Sequence, residues 1–311
     1  MTKPLPVIFL MGPTAVGKTA AAVLLVKRLP LEIISVDSAL IYRGMDIGTA
    51  KPDKETLLQA PHRLIDICEP DEIYSAACFR QDALTHIDVI HQQGRIPLLV
   101  GGGMFYFKAL EEGLSWLPSA NAEVRARLEA EAAQLGWEKM HARLQNIDPS
   151  AAARIHLNDP QRIQRALEVY ELTGRSMSSL QEEKIAEPLS HPLLKLVLTI
   201  EDRALLHQRI EQRFDTMLKQ GFADEVRRIR ERENMHSALP AVRAVGYRQM
   251  WEHLDGDYDN DEMRRRGIVA TRRYAKRQMT WLRGQNNAKV FDALDVELAD
   301  KLADEIALML Q

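Results

Sequence analysis

The stretch that decides the fold of this chain is Gly12-Pro13-Thr14-Ala15-Val16-Gly17-Lys18-Thr19. It fits the pattern G-x-x-x-x-G-K-[ST] of a phosphate-binding loop. The apolar run at residues 7–11 predicts a buried strand, and residues 20–29 predict the helix that such a loop requires. The glycines let several backbone N–H groups point at one anion, Lys18 can reach across the phosphates, and the Thr19 hydroxyl can hold Mg²⁺. The sequence therefore predicts an α/β fold that binds a phosphorylated ligand.

The composition is that of an ordinary folded protein. The chain has 311 residues, 46% hydrophobic content and a net charge of −3, which suits one large domain or two smaller ones and gives no global signal for nucleic acid. Its two cysteines, Cys68 and Cys78, are too few for a disulfide framework and lack the spacing of a metal site. Because no apolar run of about 18 residues occurs and residues 1–6 do not resemble a signal peptide, we expect a soluble cytoplasmic protein. Nothing in the sequence requires more than a monomer.

A second strand, predicted at residues 32–36, ends in Asp37-Ser38. Ligands of open parallel sheets bind at the carboxyl ends of the strands, so we expect Asp37 beside the phosphate loop. There it could coordinate Mg²⁺ or accept a proton from a nucleophile, or it could cap a following helix. Residues 39–52 combine glycine, proline, basic and aromatic residues and predict a surface recognition loop, whereas residues 62–67 predict a short strand.

Glycines end another predicted strand. Residues 96–100 are apolar and are followed by Gly101-Gly102-Gly103, where a hydrolase of purine nucleotides usually carries an aspartate that organises magnesium. The chain also lacks the Asn-Lys-x-Asp motif that recognises guanine. Both absences argue against a switch GTPase or a motor ATPase. They indicate that phosphates are bound without hydrolysis of a nucleotide.

A change in composition predicts a second domain. From residue 118 onward the sequence becomes charged, alanine-rich and helical, which predicts an all-helical insertion at residues 118–193 within a core formed by residues 1–117 and 194–311. In the insertion, Arg162 and Arg165 lie one turn apart near the start of a helix. They could clamp a phosphate or form an ordinary solvated helical face.

Two further arginines follow the insertion. Residues 194–200 predict a strand that returns the chain to the core, and residues 203–220 predict a helix with Arg209 and Arg213 on one face. Because this helix follows a core strand, the arginines could reach a diphosphate from the side opposite Lys18.

The C-terminal third carries a strip of basic residues. Residues 261–285 hold eight basic and two acidic residues, a local net charge of +6 in a chain of net −3. A solvated charged helix usually mixes both signs, so the strip predicts a nucleic-acid partner, and the aromatic residues Tyr247, Tyr274 and Trp281 could stack on unpaired bases. The basic residues are Arg264, Arg265, Arg266, Arg272, Arg273, Lys276, Arg277 and Arg283, opposite an apolar stripe of Ile268, Ala275, Met279 and Leu282.

Five motifs occur in a fixed order along the chain. After the phosphate loop they are Asp37-Ser38-Ala39-Leu40-Ile41-Tyr42, Gly44-Met45-Asp46-Ile47-Gly48-Thr49-Ala50-Lys51-Pro52, Val242-Arg243-Ala244-Val245-Gly246-Tyr247-Arg248-Gln249 and Lys276-Arg277-Gln278-Met279-Thr280-Trp281-Leu282-Arg283. Together they resemble the bacterial tRNA dimethylallyltransferase family, from about residue 7 to residue 283. The resemblance implies a core like that of P-loop NTPases with a helical insertion that contacts tRNA. The zinc-finger extension of eukaryotic relatives is absent from the sequence.

The resemblance also implies a reaction, in which a dimethylallyl group passes from dimethylallyl diphosphate to N6 of adenosine 37 beside the tRNA anticodon. The phosphate loop would hold the diphosphate instead of ATP, Asp37 would accept the N6 proton, and Lys18, Arg213 and Mg²⁺ at Thr19 would stabilise the leaving group. The base must leave its stack to react, which suits an unpaired adenosine. The implied tRNA contacts are Asp37, Ser38, Ala39, Leu40, Gly103, Arg125, Gln161, Arg162, Ile163, Gln164, Arg165, Val242, Arg243, Ala244, Val245, Gly246, Tyr247, Lys276, Arg277, Gln278, Met279, Thr280, Trp281, Leu282 and Arg283.

One catalytic position departs from the family pattern. The family has Gly-Gly-Thr after the glycine-ended strand, with the threonine hydroxyl near the diphosphate and the target base, whereas this chain has Gly103. Losing one charge-assisted hydrogen bond would cost roughly 1.5–3 kcal/mol of transition-state stabilisation. Since Lys18, Asp37 and Arg213 are intact, we expect a weakened but functional enzyme.

Two other classes of protein share part of this pattern. A small-molecule kinase of the nucleoside or shikimate type would have the phosphate loop, the strand-end aspartate and a helical lid with arginines, but it leaves the basic strip unexplained. A non-catalytic RNA-binding module explains the strip but gives Lys18 and Asp37 no role. ATP consumption with a small acceptor would favour the kinase, and tRNA binding without product would favour the module.

Overall fold

The computed structural model describes residues 5–183 and 187–310. Most of the N-terminal stretch interpreted above, residues 1–6, lies outside these residues. The chain divides into two compact units, one formed by Met1–Leu110 with Ser190–Gln311 and the other by Glu111–Leu189. In the described part of the chain, no helix has both the length and the apolar character needed to cross a membrane.

The first unit is built on a parallel sheet with the strand order β3-β2-β4-β1-β5-β6. The two central strands, β1 and β4, are uncharged and fully buried, as expected where helices cover both faces of a parallel sheet. Met11 pairs with Gly101, and Gly101 pairs with Val36, so the chain leaves three adjacent strands at one edge of the sheet. The strands are β1 (Val7–Met11), β2 (Leu31–Val36), β3 (His62–Arg63), β4 (Ile96–Gly101), β5 (Leu193–Thr199) and β6 (Ala288–Asp292).

Helices complete this unit. Apolar residues of α1 and α14 pack in the sheet core, whereas Phe214, Phe222, Tyr247 and Trp251 form part of a second buried cluster away from the sheet. This second cluster ties α10, α11, α12 and α13 together. The helices are α1 (Lys18–Arg28), α2 (Lys54–Gln59), α3 (Ala76–Gln92), α4 (Met104–Glu112), α10 (Arg203–Lys219), α11 (Phe222–Arg230), α12 (Tyr247–Leu254), α13 (Asn260–Arg283) and α14 (Leu298–Leu310).

Two local predictions need correction. The strand expected at residues 62–67 is only two residues long, because Leu64 and Asp66 adopt positive φ angles of 62° and 55° that break the extended backbone. The loop at residues 39–52 is not wholly a surface element, since Ile41 and Tyr42 are buried in the second cluster. The strand β6 and the helix α14 have no counterpart among the predicted elements.

The second unit is helical, as expected for an insertion, although its limits differ from the predicted residues 118–193. Its helices are α5 (Ala122–Leu135), α6 (Trp137–Ile147), α7 (Pro149–Arg154), α8 (Pro160–Thr173) and α9 (Met177–Glu182). Leu128, Met140, Leu144 and Leu167 form the centre of its own apolar core. A separate core is what allows a segment of this size to fold as a compact unit.

Candidate active site

The phosphate loop follows β1 and leads directly into α1. Ala15 and Gly17 have positive φ angles of 64° and 105°, which turn the backbone toward the helix axis. Gly17 is the N-cap of α1, and within the described residues no side-chain hydrogen bond caps this end of the helix. The first N–H groups of the helix, together with the positive end of the helix dipole, are groups that can bind an anion.

Lys18 points back over this loop. Its Nζ donates hydrogen bonds to the carbonyl oxygens of Gly12 and Pro13 at 2.9 and 2.8 Å. Desolvation inside the fold and the nearby positive charge of Arg213 lower the pKa of Lys18 to about 7, with Asp37 opposing the shift. A bound anion would raise the pKa of Lys18 again, so the ammonium would keep its proton beside a negatively charged ligand.

Arg213 approaches from α10. Its Nη2 donates to the Thr49 carbonyl oxygen at 3.0 Å, and burial lowers the pKa of its guanidinium while Asp37 raises it. Within the described residues, neither Arg213 nor Lys18 forms an ion pair with a carboxylate. Two cations therefore share one site with their charges uncompensated by direct contact. Arg209, predicted to act with Arg213, lines neither of the two cavities described next.

Two neighbouring cavities meet at these residues. The smaller, about 90 Å³, is lined by Lys18, Thr19 and Ser35, and the larger, about 330 Å³, by Ser38 and Arg243 among others. Both cavities share Thr14, Asp37, Thr49, Arg213 and Tyr274. The shared wall puts a carboxylate and a guanidinium between a phosphate-sized space and a wider one.

Asp37 serves the backbone as well as the cavities. Its Oδ1 accepts from the N–H of Ala39 at 2.8 Å and from the N–H of Leu40 at 3.4 Å. This is a side-chain-capped turn, and no helix begins there. The turn fixes the carboxyl group at the rim shared by the cavities. The alternative that Asp37 caps a following helix is wrong, and its functional interpretation stays a prediction.

Comparisons with known proteins identify the family of this chain. The family model described as "IPPT: IPP transferase" matches residues 40–285. A tRNA dimethylallyltransferase from Alkalilimnicola ehrlichii is 62% identical over 278 residues, 89% of this chain and 87% of that protein. One from Thioalkalivibrio sulfidiphilus is 58% identical over 298 residues, 96% of this chain and 92% of that protein.

This chain belongs to the IPP transferase family. A solved tRNA isopentenylpyrophosphate transferase from Bacillus halodurans matches with a TM-score of 0.72 and 38% identity, over 98% of this chain and 96% of that one. A eukaryotic dimethylallyltransferase acting on tRNA matches with a TM-score of 0.78 and 25% identity, over 98% of this chain and 78% of that one. The predicted family, fold class and transferase activity are confirmed.

Gln278 of this IPP transferase holds the site together. Its Oε1 accepts from the Thr14 N–H at 2.9 Å, and its Nε2 donates to the Gly102 carbonyl oxygen at 2.9 Å. Tyr274 donates to the same carbonyl at 3.3 Å, and burial raises the pKa of its phenol. Gln278 is only 3% exposed, and its side chain braces the phosphate loop, so the tRNA contact implied for it stays a prediction.

Other predicted tRNA contacts are also inside the fold. Tyr247 packs edge-on against Phe222 and donates to Glu225, so it is not available as a stacking aromatic. Trp281, in contrast, is 37% exposed and lies under the Lys108 ammonium at 5.7 Å from its ring centre. The buried side chains among the implied contacts are Ile163, Val242, Tyr247, Gln278 and Leu282.

The basic strip divides into two halves. Arg264 bonds Asp215 and Glu211 of α10, and Arg272 bonds Glu211 at 3.1 Å. Arg265 and Arg266 both bond Glu262. Carboxylates therefore pair with all four of these arginines. The net charge of +6 counted over residues 261–285 did not include Glu211 and Asp215, because they lie on α10. Arg273, Lys276, Arg277 and Arg283 form no ion pair with any described residue, and all four are exposed.

The predicted contacts in the helical unit also separate. Arg125 and Arg165 bond the fully buried Glu168, and Gln164 donates to the Arg125 carbonyl oxygen at 3.1 Å. Arg162 is exposed, and its one ion pair within the described residues is with the Asp159 carboxylate at 3.4 Å. Arg165 is thus a structural residue, and of the two arginines on this helix Arg162 is the one that could clamp a phosphate.

Gly103, at the position where the family has threonine, lies tightly against the backbone of β2. Its N–H donates to the Val36 carbonyl oxygen at 3.0 Å, and a Cβ added at this position would lie 2.9 Å from that oxygen. A threonine therefore requires a backbone shift of a few tenths of an ångström. Gly103 lines neither cavity, so its own atoms add no polar group to the site.

Proposed function

We propose that this chain transfers a dimethylallyl group from dimethylallyl diphosphate to N6 of adenosine 37 beside the tRNA anticodon. The named activity of relatives at 62% and 58% identity supports the reaction. The observation that carries the assignment of roles is that Lys18, Arg213 and Asp37 line the same small cavity, while neither cation forms an ion pair with a carboxylate within the described residues. The small cavity would hold the diphosphate, and the wide one would receive the base.

Lys18 and Arg213 would stabilise the diphosphate as it departs. The bond between the allylic carbon and the diphosphate oxygen breaks, and negative charge accumulates on the leaving group. The backbone N–H groups at the start of α1 and the two cations would meet that charge. Both side chains are already held in place by carbonyl oxygens, so little reorganisation would be needed during the reaction.

Asp37 would act on the other substrate. As N6 attacks the allylic carbon, a new C–N bond forms and the nitrogen loses a proton, for which the Asp37 carboxylate is the acceptor. Its position in the wall of both cavities supports this role. Ser38 and Ala39 line only the wide cavity and would contact the nucleotide.

Mg²⁺ is the cofactor we propose. Thr19 and Ser35 offer hydroxyls and Asp37 a carboxylate in the small cavity, and the buried Ser35 Oγ has no hydrogen-bond partner among the described residues. These hard oxygen donors fit Mg²⁺, which binds through a few protein oxygens and substrate phosphates. No group of three or more His, Cys, Asp or Glu side chains suited to a metal occurs in the described residues. When bound, the ion would neutralise charge on the diphosphate.

The exposed cations would bind the tRNA backbone. In the first unit these are Arg273, Lys276, Arg277 and Arg283, together with Trp281 as a stacking surface. In the helical unit, Gln161 and Arg162 are the exposed members of the implied contacts. We further propose that the protein acts as a cytoplasmic monomer.

The deciding experiment is transfer of a radiolabelled dimethylallyl group to an anticodon stem-loop with adenosines at positions 36, 37 and 38, with Mg²⁺ and without ATP. We expect label in this RNA and none in a control RNA with guanosine at position 37. ATP turnover on a small acceptor without labelled RNA would favour a kinase. Saturable RNA binding without product would favour a binding module.

A further inference from the structure

A buried carboxylate outside both cavities organises the loop that holds Arg213. Glu225 lies on α11 and is 2% exposed. Its Oε2 accepts from the N–H groups of Asp46 and Ile47 at 2.9 and 2.7 Å, and its Oε1 accepts from the Gly48 N–H at 3.0 Å. Three consecutive backbone donors therefore converge on one side chain. No ion pair to Glu225 occurs within the described residues, so hydrogen bonds alone compensate its position.

The fourth donor comes from a different part of the fold. Tyr247 donates its phenolic hydrogen to Glu225 Oε1 at 2.5 Å, and burial raises the pKa of that phenol well above its usual value. Tyr247 begins α12 and lines the wide cavity. Glu225 thus ties residues 46–48 to the segment implied to contact tRNA.

The next residue of this loop, Thr49, contacts Arg213. The Thr49 carbonyl oxygen accepts from the Arg213 guanidinium at 3.0 Å, one residue after the last N–H that Glu225 holds. Gly48 packs so closely that an added Cβ would lie 2.1 Å from the Phe222 ring and 2.6 Å from the Tyr247 ring. Lys51, whose Nζ bonds the Tyr42 carbonyl oxygen at 2.9 Å, braces the far end of the loop. The position of the Thr49 carbonyl therefore depends on Glu225.

We propose that Glu225 is a positioning residue for transfer, acting through residues 46–49 to hold Arg213 against the diphosphate. The inference rests on the proposed function and adds a residue that touches neither substrate. A carboxylate is required because two oxygens must accept four donors. A glutamine has the same shape, but an amide NH₂ in place of Oε1 would face the Gly48 N–H and the Tyr247 hydroxyl, which donate to that oxygen in this chain.

The test is a double-mutant cycle with Glu225→Gln and Arg213→Ala, read in single-turnover transfer and in the affinity for inorganic pyrophosphate. We expect Glu225→Gln to lower the transfer rate about 10- to 100-fold, the size expected when hydrogen bonds to a charged group are lost. In the Arg213→Ala background the same change should cost less than about threefold, because the residue it positions is gone. The pyrophosphate affinity should show the same dependence on Arg213.

Asp224→Asn is the matched control, since Asp224 is exposed, adjacent in sequence and bonded to Arg227 at 2.5 Å. It should leave both readouts unchanged. If Glu225→Gln does not fold, Tyr247→Phe removes a single donor and should give a loss of a few fold that also vanishes with Arg213→Ala. Equal losses with and without Arg213 would overturn the inference. Absence of transfer by the unaltered chain would instead refute the proposed function.

Discussion

Two clusters of charge in this molecule have opposite balances. In the helical unit, the buried Glu168 accepts from Arg125, Arg165 and the Asn121 N–H. Although burial raises it, these hydrogen bonds keep the pKa of Glu168 below its usual value. At the sheet edge, in contrast, the direct hydrogen-bond partners of Lys18 and Arg213 among the described residues are carbonyl oxygens.

The difference separates structure from function. A carboxylate surrounded by donors is complete without a ligand and stabilises the folded state. Burial and the positive charge of Arg213 lower the pKa of Lys18, and burial lowers the pKa of Arg213, so an anion bound beside them would favour the charged form of both. Glu225 is also a carboxylate surrounded by donors, although the loop that it holds leads to Thr49, whose carbonyl oxygen accepts from Arg213.

Removing the proton acceptor should give the largest effect. Asp37→Asn keeps an oxygen that can accept from the Ala39 N–H, so the turn survives while the carboxylate is lost. We expect single-turnover transfer to fall about 10²- to 10⁴-fold, with tRNA affinity within twofold of the unaltered chain by filter binding. A parallel loss of tRNA affinity would contradict the assigned role.

Removing an uncompensated cation should affect chemistry without unfolding the protein. Lys18→Ala should lower the transfer rate about 10²- to 10³-fold, while the thermal midpoint stays constant because the side chain has no anionic partner in the free protein. Lys27→Ala, on the exposed face of the same helix, is the control. A large drop in the midpoint for Lys18→Ala would place Lys18 with the structural charges.

The reverse is expected in the helical unit. Glu168→Gln leaves two arginines without their carboxylate, and we expect the free energy of unfolding to fall by roughly 2–3 kcal/mol, since both arginines can still reach solvent. Denaturant titration measures the loss, with the exposed Glu129→Gln as control. The transfer rate at saturating tRNA should be unchanged at denaturant concentrations below the unfolding midpoint of the variant. A stability equal to that of the control would show that the cluster contributes nothing.

The pH dependence of anion binding sharpens the contrast. Because the pKa of Lys18 is about 7 in the free protein, raising the pH above 7 deprotonates it, and binding of pyrophosphate must then bring a proton with it. Affinity should therefore fall by up to about tenfold per pH unit above 7. Calorimetry in buffers of different ionisation heat should detect the proton uptake. Lys18→Met, which reports the titration of pyrophosphate alone, should show a weaker dependence.

The smallest effect is expected at the departure from the family pattern. Gly103→Thr would add a hydroxyl near the site but presses a Cβ on the Val36 carbonyl oxygen. Since that contact offsets part of the roughly 1.5–3 kcal/mol of a charge-assisted hydrogen bond, we expect the transfer rate to rise by no more than about tenfold and the thermal midpoint to fall slightly. Gly103→Val tests whether shape alone suffices. An unchanged rate with Gly103→Thr would show that the missing hydroxyl does not weaken this enzyme.

Local patterns in the sequence predicted much of the site. The phosphate loop, Asp37 and the glycines after β4 all follow predicted strands, and the register of a parallel sheet brings strand ends together. Periodicity could not locate β6, because this strand lies at the edge of the sheet and is mostly exposed. The helix α14 does carry a periodic signal, since Leu298, Leu302 and Ile306 lie four residues apart and the last two are buried.

What the sequence by itself determined is therefore the chemistry that depends on residues close together in the chain: the anion site at residues 12–19, the strand-end carboxylate and the family. Only the tertiary structure decided which distant groups meet there. Arg213 reaches Thr49, Gln278 braces Thr14, and Glu225 gathers residues 46–48 across long separations in sequence. The physical reason is that turns and hydrogen bonds between residues close in sequence follow from local residue patterns. These three contacts instead join residues far apart in sequence, and they form only when the helices pack, which no local pattern predicts.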